Sequence, residues 1–120
     1  MAKTYKEQVD EAKARIREVS IDEVKQLVES GKPPVIVDVR DDADWDKGHV
    51  PGAVHVVKDQ LEERAPQELE KDAPIVVYCG GGGRSALGTD ALQKMGYTNV
   101  RSMKGGFRGW TAAGNPTESE

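Results

Sequence analysis

The sequence predicts an α/β fold built on an open, mainly parallel sheet. Two runs, PPVIVDV (33–39) and APIVVYC (73–79), are β-branched and lack the polar alternation of a half-exposed strand, so each suits a strand buried on both faces. Helical patterns alternate with these and with weaker strand-like segments, the order that a parallel sheet with right-handed crossovers requires.

Taken in chain order, Tyr5, Val9, Ala12, Ile16 and Val19 recur at helical spacing in a charged background and predict an amphipathic helix over residues 3–17. Its apolar face is expected to dock on the domain. In SIDEVKQLVESG (20–31), Ser20 and Glu23 have the spacing of a capping box, Val24, Leu27 and Val28 form an apolar face, and Gly31 follows the end. That is a second helix, and PPVIVDV follows it as a strand. RDDADWDKGHVPGA (40–53) is too polar and turn-rich for a strand, although DADWDK suits one helical turn. AVHVV is then a short strand, DQLEERAPQELEK is helical in parts, and APIVVYC is the next strand. RSALGTDALQKMG (84–96) spaces Leu87, Ala91 and Met95 four apart and ends on Gly96, a helix with its C-terminal cap. TNVRSM reads as the last strand, GGFRGWTAAG as a turn and short helix, and NPTESE as a polar tail.

Composition bounds the function. With 120 residues the chain is the size of one domain, and 17 basic against 21 acidic residues give a net charge of -4. No positive field is available to hold a nucleic-acid backbone, so nucleic acid is not an expected partner. No apolar run approaches the roughly 18 to 20 residues that span a bilayer, and the charged N-terminus is unlike a signal peptide. A soluble protein in the reducing cytoplasm, without a membrane partner, is the expectation. A single cysteine excludes an internal disulfide and a thiolate-rich zinc site, so neither a metal nor a cofactor is expected.

That cysteine ends a strand run and meets four glycines and an arginine: IVVYCGGGGRS (75–85). In open parallel sheets ligands gather at the C-terminal strand ends, where loops lead into helix N-termini. Glycines let the backbone curl so that successive N–H groups converge on one anion, and the following helix adds its free N–H groups and the positive end of its dipole. Cys79 would lie in the middle of this nest, and such surroundings favour a reactive thiolate. Gly80, Gly81, Gly82, Gly83 and Ser85 are the expected anion-binding amides, and Arg84 supplies a charge that could turn inward to fork an oxyanion. The loop is not a Walker loop, because no lysine follows Gly83. Cysteine-dependent phosphatases place five residues between cysteine and arginine, and here there are four, Gly80 to Gly83.

Four blocks together resemble the rhodanese family of sulfurtransferases over residues 17–116. VIVDVRDDADWDKGHVPGAVHV is similar to that family's DVR…GHIPGA segment, IVVYCGGGGRSA to its active-site loop, and LQKMGYTNVRSMKGGFRGW with GNP to its closing pattern. The resemblance implies a single rhodanese domain whose five-stranded, mainly parallel sheet is flanked by helices on both faces, with REVS as its first strand. The chain accordingly divides into an N-terminal amphipathic helix (1–17), the rhodanese domain (18–116) and a disordered tail (117–120).

The resemblance also implies an enzyme, a thiosulfate sulfurtransferase in which Cys79 takes sulfur from a small donor as a persulfide and passes it to cyanide or a thiol. A sulfur carrier or regulatory module acting on a protein acceptor is the alternative, and a phosphatase or arsenate reductase is disfavoured by the loop length. The bare positions 80, 81 and 83 depart from the family, whose members often carry side chains there. Asp38 and Arg40 in DVR are expected to be a buried supporting ion pair, His49 to belong to a structural turn rather than to act as a general base, and Trp45 and Trp110 to pack in the core.

Overall fold

The computed structural model describes residues 2–119; Met1 and Glu120, at the outer ends of the expected helix segment and tail, lie outside the described residues. Strands β1 (Arg17–Val19), β2 (Val35–Asp38), β3 (Val54–His55), β4 (Ile75–Tyr78) and β5 (Val100–Met103) form one sheet in the order β1-β5-β4-β2-β3. Every pairing is parallel. Around it lie α1 (Tyr5–Arg15), α2 (Ile21–Glu29), α3 (Asp42–Lys47), α4 (Leu61–Glu68), α5 (Gly83–Lys94) and α6 (Gly106–Ala112). REVS is the first strand, as the family resemblance implied.

Central strand β4 orients the site. Side chains alternate across a strand, so Ile75 and Val77 pack into the cluster with Val37, Leu61 and Leu92, while Val76 and Tyr78 pack into the one with Val24, Met103 and Trp110. Each such aliphatic side chain, fully buried, contributes about 1.5 to 3 kcal/mol. Cys79 keeps the parity of Ile75 and Val77, so its thiol emerges on the face covered by α4 and α5.

Helix α5 departs from the expected apolar face. Leu87, Ala91 and Met95 are only half-buried; the residues it buries fully are Ser85, Ala86, Gly88, Thr89, Asp90 and Leu92. Small side chains allow a close approach: a Cβ on Gly88 would come within 2.9 Å of Leu61 Cδ2 on α4. Apolar spacing misses this face because its contacts are made by backbone and short side chains.

Helix α1 docks on α5 through Val9 and Ala12, which pack with Ala86. Val19, which continued its spacing in the sequence, belongs to β1 instead, because the helix ends at Arg15 and Ile16 is extended. The full capping box is also on α1, where Thr4 and Glu7 exchange side-chain and backbone bonds. On α2, Ser20 Oγ accepts from the Glu23 N–H and its hydroxyl donates to the Glu23 carboxylate.

The docking is completed by a fork: Arg15 Nε and Nη2 donate to Asp90 at 3.0 and 2.7 Å, and Lys94 approaches the same carboxylate at 3.2 Å. The hydrogen bonds from Arg15 come first among the influences that hold the Asp90 carboxyl below its ordinary range. A carboxyl depressed in the folded state stabilises above its unfolded pKa and loses that contribution as pH falls through the folded value. Asp90→Asn is therefore expected to speed tryptic cleavage at Lys13 and Arg15 at neutral pH. In thermal unfolding the wild type and the variant should converge as pH falls through the folded Asp90 value; equal tryptic cleavage rates at pH 7 would count against the fork as the anchor of α1.

Glu118, within the stretch expected to be a disordered tail, pairs with His49: its N–H donates to the His49 carbonyl at 3.0 Å and its carbonyl accepts from the His49 N–H at 2.9 Å. Its carboxylate also accepts from Gly52 N–H. No helix among the described residues is long and apolar enough to cross a membrane.

Candidate active site

Cys79 is the first residue after β4 and is 2% exposed. The chain then turns through the four glycines into α5, with Gly82 as the N-terminal cap at φ +107°, a left-handed conformation that favours glycine. That turn points two amides at the sulfur. Gly82 N–H donates to Cys79 Sγ at 3.0 Å and Ser85 N–H at 3.3 Å, while Ser85 Oγ lies 3.5 Å from Sγ. Of the amides expected to form a nest, those of Gly82 and Ser85 converge on the sulfur. Ser102 on β5 holds Ser85 in place, their hydroxyl oxygens 2.8 Å apart and both residues fully buried.

A second clamp comes from α6. The N–H groups of Phe107 and Arg108 donate to the carbonyls of Cys79 and Gly80 at 2.7 and 3.1 Å, so the first two loop carbonyls are held from outside the loop. The approach is close enough to demand glycine at 106: φ is +58°, and a Cβ there would lie 2.5 and 2.6 Å from those same carbonyl oxygens. Gly106→Ala is expected to cost about 3 kcal/mol from left-handed strain and displaced backbone together. Chemical denaturation would read this directly, and a loss below 1 kcal/mol would mean that α6 can withdraw from the loop freely.

Asp38 and Arg40 lie behind this arrangement. Asp38 is fully buried and accepts from Arg40 N–H, Nε and Nη2, at 2.8 to 3.1 Å, and from the Tyr78 hydroxyl at 2.6 Å. Arg40 also donates to the Gly48 carbonyl at 2.6 Å and lies 4.1 Å from the centre of the Phe107 ring. Burial works against the Arg40 charge, but the Asp38 hydrogen bonds and charge outweigh it and the net shift is upward. Burial, followed by the Asp38 charge, pushes the Tyr78 phenol well above its ordinary value.

The network therefore ties the C-terminal ends of β2 and β4 to the 48–50 turn and to α6. His49 is buried in that turn, its ring stacked at 3.5 Å on Trp45, which also stacks on His55 at 4.8 Å. Trp45 is half-buried in this stack rather than in the core, whereas Trp110 is buried with its indole N–H on the Pro116 carbonyl.

Arg84 pairs with Asp41, its Nη1 3.4 Å from that carboxylate. The pair lines a cavity of about 450 Å³ together with Asp42, Ala43, Val57, Lys58 and Asp59. Residues that sequence reasoning missed are Ser102, Gly106, Phe107 and Arg108. The GGFRG turn was visible, but nothing in its spacing indicates that its amides meet a loop some 25 residues earlier in the chain.

The family model for the rhodanese-like domain matches residues 20–113. The chain belongs to the rhodanese-like family. Among relatives, it is 34% identical over 105 residues to the putative sulfur carrier protein YrkF of Bacillus subtilis, covering 88% of this chain and 56% of that protein. It is 36% identical over 75 residues to the thiosulfate sulfurtransferase GlpE of Tolumonas auensis, covering 62% of this chain and 70% of the relative. The chain spans only 56% and 59% of the lengths of two Bacillus subtilis relatives.

Among solved structures, a protein of unknown function from Rhodopseudomonas palustris, described as a possible tyrosine phosphatase, superposes with a TM-score of 0.90 at 32% identity over 98% of this chain and 96% of that one. The rhodanese-like domain of an Anabaena protein superposes with a TM-score of 0.80 at 34% identity, covering 86% and 79%. The five-stranded sheet and flanking helices are accordingly the rhodanese-like fold, with α1 added at the N-terminus.

Proposed function

We propose that this rhodanese-like protein is a sulfurtransferase that carries sulfane sulfur on Cys79. The observation that carries the reading is the pair of amides, Gly82 and Ser85, that converge on Sγ inside a four-residue Cys-to-Arg loop. The Cys79 thiolate attacks the outer sulfur of thiosulfate, a new S–S bond forms, and the old S–S bond breaks so that sulfite leaves with its electron pair. The product is a Cys79 persulfide. A thiolate or cyanide then attacks the outer sulfur and returns the electron pair to Cys79 as thiolate, a double displacement through a covalent intermediate.

Thiolate, persulfide and bound donor are all anions, so the fixed amides and the N-terminus of α5 stabilise each in turn without reorganising. Gly80, Gly81 and Gly83 leave the mouth free of loop side chains, and Asp38 with Arg40 holds the ends of β2 and β4 behind it. With one thiol in the chain, the acceptor must come from outside. A small thiol or cyanide fits this scheme; so does a protein acceptor, the variant favoured by the likeness to a protein named as a sulfur carrier. The lone, unpaired cysteine suits a reducing compartment such as the cytoplasm.

Incubation with thiosulfate is expected to raise the intact mass by one sulfur, about 32 Da, with release of one sulfite. No mass gain over a range of sulfane donors would overturn the reading. The Rhodopseudomonas structure's description makes phosphate-ester hydrolysis the rival to exclude, and the loop lacks one residue of the phosphatase spacing. Hydrolysis of an aryl phosphate faster than sulfur loading on one preparation would reverse the order of the two readings.

A further inference from the structure

The bare glycines of the loop are met by side chains from other elements. The Cβ that Gly81 lacks would lie 3.5 Å from Nη1 of Arg108 on α6, and that of Gly83 would lie 3.0 Å from the Tyr5 hydroxyl on α1. The rim that other sequences build from loop side chains is here contributed by flanking helices. Arg108 is fixed for this task, because its own N–H donates to the Gly80 carbonyl and the adjacent Phe107 N–H to that of Cys79.

The two arginines near the loop differ in what their charges face. Among the described residues the ion-paired arginines are Arg15, Arg40, Arg64 and Arg84, and Arg108 is outside that set. Arg84 is engaged by Asp41 and opens onto a cavity in which Asp41, Asp42 and Asp59 outnumber Lys58 and Arg84. A dianion is repelled from that side. Arg108 is exposed, and its guanidinium lies against the loop residue next to Gly82, whose amide contacts the sulfur.

Resting on the sulfur-transfer reading, we infer that Arg108, rather than Arg84, is the residue that binds the anionic end of the sulfur donor. Its planar fork engages two oxygens of a sulfonate-type group while the donor's outer sulfur faces Cys79. A side chain longer than a methyl at Gly81 would meet this guanidinium, since the Cβ alone would lie 3.5 Å from Nη1.

The test measures persulfide formation from thiosulfate by rapid quench and mass spectrometry, and persulfide removal by a neutral phosphine, which takes the outer sulfur as phosphine sulfide and returns the thiolate. Arg108→Gln is expected to raise the thiosulfate concentration for half-maximal loading about tenfold, and Arg108→Lys to recover part of the loss. Removal by the phosphine, which carries no charge for Arg108 to hold, should change less than twofold.

Loading of Arg108→Gln at the wild-type concentration dependence overturns the inference alone. So does a larger loss in Arg84→Gln than in Arg108→Gln, or an equal loss in the phosphine step. Failure of the wild type to load at all overturns the sulfur-transfer reading and the inference with it.

Discussion

Cys79→Ser is expected to fold like the wild type and to form no covalent sulfur adduct, with turnover from thiosulfate lowered by at least about 10⁴-fold. The fold should survive because a hydroxyl can take the place of the thiol in every bond it makes. It accepts from Gly82 and Ser85 N–H and donates toward Ser85 Oγ, and Ser85 keeps its own partner in Ser102. Neighbouring packing with Val77 and Leu92 changes by little, since oxygen is smaller than sulfur but the site is lined by amides as well as by apolar groups.

Chemistry should not survive, because the covalent intermediate is a persulfide and needs a sulfur that accepts a sulfur. Thermal unfolding and intact mass separate the two outcomes. An unchanged Tm with no adduct supports Cys79 as the carrier. A persistent adduct of about 32 Da would place the carrier elsewhere and remove the basis of the proposed function.

The parts of this site visible in the sequence are those written into one local stretch. IVVYC is a strand because β-branched residues fill a doubly covered position, and the following glycines with RSAL set the strand-to-helix turn, so the cysteine's place at a C-terminal strand end could be read directly. DVR was readable as a buried pair because an acid and a base two residues apart flank the end of an apolar run.

What could not be read depends on which distant segments meet. The serine of VRSM gives no local sign that its hydroxyl supports Ser85, and Gly106 looks like any turn glycine until the carbonyls of Cys79 and Gly80 are found against it. Tyr5 was read only as part of an apolar stripe, whereas its hydroxyl is placed over Gly83. The buried face of α5 is hidden for the same reason, since close packing by small residues leaves no hydrophobic pattern.

Asp38→Ala is expected to be the most destabilising single change away from the loop, at about 3 to 5 kcal/mol. The carboxylate touches no solvent, and four hydrogen bonds from Arg40 and one from Tyr78 end on it. Its removal leaves the guanidinium of Arg40, a buried residue, with only the Gly48 carbonyl as hydrogen-bond partner, and an uncompensated buried charge outweighs the lost bonds themselves. For a domain whose total stability is on the order of 5 to 15 kcal/mol, this is a large share, and Tm should fall by roughly 10 to 20 °C. Asp38→Asn keeps the shape and one acceptor and is expected to lose less. Replacing both partners, as in Asp38→Leu with Arg40→Met, should recover part of the loss, because the desolvated charge goes with its counterion. Denaturation of the three variants decides the matter: a loss under 1 kcal/mol in Asp38→Ala, or a double variant less stable than Asp38→Ala, would mean that the pair is not what fixes the ends of β2 and β4 beneath the loop.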